Sequence, residues 1–123
     1  MTHRERMRVA WADTDAGGRI HHTAAFRWAE VAEHAMLRGL GLDSDAIVSF
    51  PRRHIEVTYH LPLRFSDEFD LLIAPEHTGR TSITYAWQAV QGDRVCVEGR
   101  TVAVHVNDQG HPITLPEALA TLS

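Results

Sequence analysis

The segment TAAFRWAEVAEHAMLRGL, residues 23–40, decides the fold. Ala25, Trp28, Ala29, Ala32, Ala35, Met36 and Leu40 recur at helical spacing, while Arg27, Glu30, His34 and Arg38 form a polar stripe beside them. This pattern predicts one long helix of about eighteen residues, roughly 27 Å at 1.5 Å per residue. Gly39 and Gly41 bracket its end. A single tryptophan among many alanines gives a face that can approach a sheet closely.

Upstream, residues 5–11 alternate, with Met7, Val9 and Trp11 on one side and Arg6 and Arg8 on the other, the pattern of a half-buried strand. Downstream, a short irregular or helical piece over 42–49 precedes a region, 52–106, that reads as strand and turn throughout. Ile55, Val57, Tyr59 and Leu61 alternate with His54, Glu56, Thr58 and His60; Phe69, Leu71 and Ile73 continue the pattern. Ile83, Tyr85, Trp87 and Ala89 share a face, and the last run changes phase near Gly99, which predicts a bulge there. Turns are expected at Pro62 to Asp67, Thr78-Gly79-Arg80, Gln91-Gly92-Asp93 and 107–110. ITLPEALATL reads as a short helix started by proline. The order is strand, long helix, then four antiparallel strands: a single α+β domain over 1–123, with one five-stranded sheet packed on one helix.

The chain is 44% hydrophobic and 23% charged, a globular composition. It has no run of about eighteen apolar residues, and MTHRERMR leads into a charged strand, so a cytoplasmic protein without membrane insertion is expected. Net charge is −4 and no long basic block occurs, which argues against nucleic acid as a partner. All twelve basic residues are arginine, so an anionic ligand would be held by guanidinium forks. The lone Cys96 cannot form an internal disulfide and reads as a core residue rather than a nucleophile.

The stretch DTDAGGRIHHTAAF, residues 13–26, concentrates the chemistry. Asp13, Asp15 and Gly18 fit positions 1, 3 and 6 of a calcium loop, but Ala24 stands where a bidentate glutamate is required and Gly17 at another ligand position. His21 and His22 are adjacent and lack the spacing of a zinc motif, so no metal is expected. Neither a GxGxxG nor a GxxxxGK[ST] phosphate loop is present. What remains is a glycine turn, Gly17-Gly18, feeding a helix start whose free N–H groups can hold an oxyanion, with Asp15 just upstream. A carboxylate beside such a site is the pair acyl transfer needs. The same residues also suit ordinary turn and capping chemistry.

WADTDAGGRIHHTAAFRWAEVAEHAMLRGLGL resembles the hot-dog-fold thioesterases of the 4-hydroxybenzoyl-CoA and Tol-Pal-associated acyl-CoA thioesterase group, in which a D-x-D-x-x-G loop precedes the long central helix. VTYHLPLRFSDEFDLLI, TGRTSITYAWQAV and GHPITLPEAL are similar to later parts of that family, in the same order. The resemblance implies a hot-dog fold and hydrolysis of an acyl-CoA or acyl-carrier-protein thioester, with CoA or phosphopantetheine part of the substrate and no separate cofactor. Asp15 matches the catalytic aspartate, as nucleophile or general base. His22 matches the position whose N–H caps the thioester carbonyl, and the N–H groups of His22 and Thr23 at the helix start are the implied oxyanion hole. Gly17 and Gly18 match the turn glycines, Glu30 an acid on the helix, and Arg80 and Ser82 the region that meets the CoA chain; Arg64 is assigned to the CoA phosphates on charge. Ala25 stands where the family often has tyrosine, which implies a different acyl pocket. A homodimer or homotetramer with sites at the subunit interface is implied. Two rivals share the fold: an enoyl-thioester hydratase, whose histidine lies five residues after its aspartate whereas His21 and His22 lie six and seven after Asp15, and a non-catalytic thioester-binding protein.

Overall fold

The structure is a computed structural model that describes residues 1–122. Ser123, the last residue of the expected domain, lies outside them. In chain order it runs β1 (His3–Arg8), a 3-10 turn (Trp11–Asp13), α1 (Ala24–Gly39), α2 (Ser44–Ile47), β2 (Arg52–Tyr59), β3 (Glu68–Thr78), β4 (Ser82–Gln91), β5 (Arg94–Val104) and α3 (Glu117–Ala120). The five strands form one antiparallel sheet in the order β1-β3-β4-β5-β2, and α1 lies along one face of it. This is the hot-dog arrangement, and α+β as the element order requires.

The core is the seam between α1 and the sheet. Ala25, Ala29 and Ala32 let the helix approach, and Trp28 packs on Phe69 of β3 with ring centroids 4.5 Å apart. Leu71, Ile73, Ile83, Tyr85, Trp87, Ala89, Val97 and Ala103 cover the rest of that sheet face, each buried. Burying one such large apolar side chain is worth about 1.5–3 kcal/mol. Cys96 is buried, and burial raises its thiol pKa.

Three local expectations are corrected. β1 stops at Arg8, because the Val9 N–H donates to Asp67 O and the Asp13 carboxylate captures the Ala10 N–H, turning the chain. Trp11 therefore leaves the strand, 73% exposed, and meets Phe65 edge-on at 5.5 Å. The bulge of β5 sits at Cys96, not Gly99: Ala89 opposes Val97 and Val90 opposes Val95, so Cys96 is the extra residue. Its carbonyl accepts both the His60 and Leu61 N–H groups. Gly99 instead makes room, since a Cβ there would stand 2.4 Å from the Trp87 ring and 2.6 Å from Glu56 O. On α1, Leu37 is fully buried while Ala35 and Leu40 are only half-buried, and Glu33 lies within the apolar face.

β2 is an edge strand whose helix-side residues are only partly covered: Val57 packs against the core, but Ile55 is 37% exposed and Tyr59 44%, beside Phe26 of α1 at 37%. Among the described residues no helix is long and apolar enough to cross a membrane.

Candidate active site

The loop after β1 folds into a small hairpin. Thr14 bridges Ile20, the Asp15 N–H donates to Arg19 O at 2.9 Å, and the Gly18 N–H donates to Asp15 O at 3.0 Å. Gly18 has φ +78°, a left-handed value that glycine adopts without strain. The Gly17 N–H donates to Asp15 Oδ1 at 2.8 Å, and a Cβ on Gly17 would stand 3.3 Å from that oxygen. The glycine pair thus lets the Asp15 carboxylate fold over its own turn while staying exposed.

Two anchors fix the hairpin. The Ile20 N–H donates to Leu63 O, setting Arg19 directly opposite Arg64, and the His21 N–H donates to Asp13 O at 2.7 Å. Asp13 is buried and accepts from Ala10 N–H, from Arg27 and, at 3.3 Å, from the Trp28 indole N–H. Burial alone would raise its pKa, but those donors and the Arg27 charge hold it below the usual carboxylate value. Asp13 is therefore the structural acid of the loop and Asp15 the open one.

The helix start is held atom by atom. His21 O accepts from the Ala24 N–H at 2.9 Å, the Thr23 N–H donates to His21 Nδ1 at 3.2 Å, and the Tyr59 hydroxyl donates to His22 O. Thr23 Oγ1 also lies 2.8 Å from His21 Nδ1, and the His21 and His22 rings lie 4.3 Å apart. Of the four polar atoms in the two peptide groups flanking His22 Cα, three have partners. Only the His22 N–H donates to no acceptor among the described residues.

The other expected site residues divide by position. Ala25 is wholly buried under the first turn of α1. Glu30 is exposed, 3.6 Å from Arg52. Glu33, one turn further, is buried and takes two hydrogen bonds from Arg52, at 2.6 and 2.9 Å. Burial would lower the Arg52 pKa, but its carboxylate partner raises it. The Tyr85 hydroxyl close to this pair is buried without a partner among the described residues, and burial together with the Glu33 charge pushes its pKa well up, Arg52 opposing. Arg64 lies beside the hairpin, whereas Arg80 and Ser82 follow the far end of β3, an eleven-residue strand of roughly 35 Å at about 3.3 Å per residue. Within one chain they are not brought to Asp15. A cavity of ≈ 20 Å³ lies between α1 and β2, and a hollow of ≈ 460 Å³ on the opposite sheet face; Asp15 and His22 line neither. Among the described residues no cluster of His, Cys, Asp or Glu could hold a metal ion.

Comparison with known proteins agrees with this architecture. The family model of the thioesterase-like superfamily matches residues 9–121. The chain belongs to that superfamily. The acyl-CoA thioester hydrolase YbgC of Escherichia coli is 27% identical over 119 residues, 92% of this chain and 89% of that protein. A solved structure from Aquifex aeolicus is 26% identical, with a TM-score of 0.87 over 98% of each chain. A 1,4-dihydroxy-2-naphthoyl-CoA thioesterase from Synechocystis, 17% identical, has a TM-score of 0.88 over 99% of this chain and 98% of its own. The shared fold is the hot dog.

In this thioesterase-like chain, the contacts around the loop are ones that the sequence pattern does not signal, even where it singles out Asp13 and Arg64. Tyr59 sits in a strand alternation like any core residue, and Asp13 in a turn like any turn acid. Arg19 and Arg64 become neighbours only through a bridge between segments about 45 residues apart. The partners of Asp13 on α1, 14 and 15 residues away, likewise leave no local signature.

Proposed function

We propose that this member of the thioesterase-like superfamily is an acyl-CoA thioester hydrolase. Asp15 attacks the thioester carbonyl or activates a water, and the His22 N–H donates to the oxygen on which negative charge develops. One observation carries the reading: at the entry to α1 the His22 N–H has no acceptor among the described residues, and it belongs to the same short segment as an exposed carboxylate. The Thr23 N–H is engaged by His21, so His22 is the oxyanion donor and Thr23 supports it. The likeness to YbgC, a protein named as an acyl-CoA thioester hydrolase, favours CoA as the carrier, with an acyl-carrier protein the alternative.

Arg64 and Arg19 suit the phosphates of such a substrate. They stand opposite each other, and neither guanidinium pairs with a carboxylate among the described residues. Like charges so placed repel unless an anion joins them. Arg80 and Ser82 can join the site only from a second chain, which with the uncovered β2 edge supports a homo-oligomer whose sites lie at the interface.

The test is free-thiol release across an acyl-CoA panel. Asp15→Asn should lower kcat by about 10³-fold or more with unchanged melting temperature, and single turnover in oxygen-18 water separates attack by Asp15 from attack by water. Undiminished hydrolysis by the Asn variant would move the role to another acid. Tight thioester binding without turnover by the native chain would leave a binding protein, and hydration of an enoyl thioester a hydratase.

A further inference from the structure

We propose that Tyr59 is a positioning residue for catalysis: its hydroxyl holds the His22–Thr23 peptide group so that the His22 N–H is presented to the substrate. This rests on the thioester-hydrolase reading of the same site. Tyr59 comes from β2, 37 residues along the chain from the carbonyl it binds, so the contact is a tertiary one and not part of the loop's own turn chemistry. Its peptide group is gripped at both ends, the oxygen by Tyr59 and the N–H by His21 Nδ1. The preceding peptide group is gripped at its oxygen alone, by the Ala24 N–H.

That asymmetry has a chemical meaning. A donor aimed before the reaction begins costs no reorganisation when charge develops, and displacement by a fraction of an ångström weakens it. Accepting a hydrogen bond at its oxygen also polarises the N–H of the same peptide group, so the Ala24 bond strengthens the His22 N–H as a donor. Tyr59 adds the rotational restraint at the neighbouring peptide. The phenol is protonated through the neutral range at its ordinary pKa of 10.0, and partial burial raises that pKa further.

The experiment compares native protein with Tyr59→Phe, which removes one oxygen from a half-exposed ring. Four readouts are taken together: kcat and KM for an acyl-CoA substrate, melting temperature, sedimentation, and the Thr23 amide resonance in a nitrogen-15 spectrum, which reports the peptide group that Tyr59 holds. The expected result is kcat lower by about tenfold, KM within about twofold, unaltered melting and sedimentation, and a shifted, faster-exchanging Thr23 amide. Fluorotyrosine at position 59, which keeps the ring and the hydroxyl, should restore both kcat and the amide. An unchanged kcat would overturn the proposal, as would an unmoved Thr23 amide. A rise in KM at constant kcat would make Tyr59 a substrate contact instead, and loss of melting temperature or assembly would make it a structural prop. If the native protein hydrolyses no thioester, the functional reading falls first, and a Thr23 amide that still moves would reduce Tyr59 to a strut of the helix start.

Discussion

Asp13 and Asp15 stand two residues apart and do opposite work. Asp13 is buried under three donors, and Asp15 is exposed with only its own turn for company. Because the folded Asp13 carboxyl is more acidic than its ordinary value of 3.8, its contribution to stability is fully present above that value and is lost as pH falls through the lower folded one. Asp13→Asn should therefore be less stable than native protein by about 2 kcal/mol at pH 7, the gap staying level down to about pH 5 and closing below it. Urea unfolding at a series of pH values measures this; a gap that widened in acid would contradict the assignment. The D-x-D pattern and the glycines were legible because turn chemistry is local. Which acid is buried was not, since that depends on Arg27 and Trp28 arriving from the next element.

Among the elements, the bond between α1 and β2 is ionic where the rest of the seam is apolar. Glu33 sits inside the helix's buried face, and among the described residues only Arg52 neutralises it. Arg52→Ala strands that carboxylate and should cost about 3–5 kcal/mol, whereas Glu33→Leu combined with Arg52→Met should recover most of the loss. Chemical denaturation of the three proteins checks this, and an Arg52→Ala variant as stable as the native protein would show the pair to be superfluous. Periodicity identified every strand and the long helix, because each has a face that must be buried. It missed what breaks period. Trp11 escapes its strand because Asp13 turns the chain, and the bulge falls at Cys96 because Val90 and Val95 pair across the β4–β5 turn. Gly99 has the same sequence signal as a bulge but answers to the Trp87 ring.

At the scale of the whole molecule, β1 and β2 are the two edges of the sheet, and β2 is the one that exposes apolar side chains. Among the described residues β2 has a neighbour on one side only, and Ile55 and Tyr59, which it turns toward α1, stay partly exposed. Unpaired, partly apolar edges of this kind are templates for another strand. For the proposed homo-oligomer, a charge at the centre of that edge, Ile55→Lys, should give monomer in analytical ultracentrifugation and lower turnover by at least tenfold. A monomeric native protein with full activity would remove the basis for an interfacial site.

The Tyr59 contact gives that edge a further consequence. The strand that would meet a second copy is also the strand that holds the His22–Thr23 peptide, so whatever loosens β2 also disturbs the proposed donor. Association and turnover would then share one dial. Specific activity should decline on dilution along the same curve as dissociation, while circular dichroism still reports an intact fold; this would let the cell set the enzyme's output through its own concentration, with no separate effector.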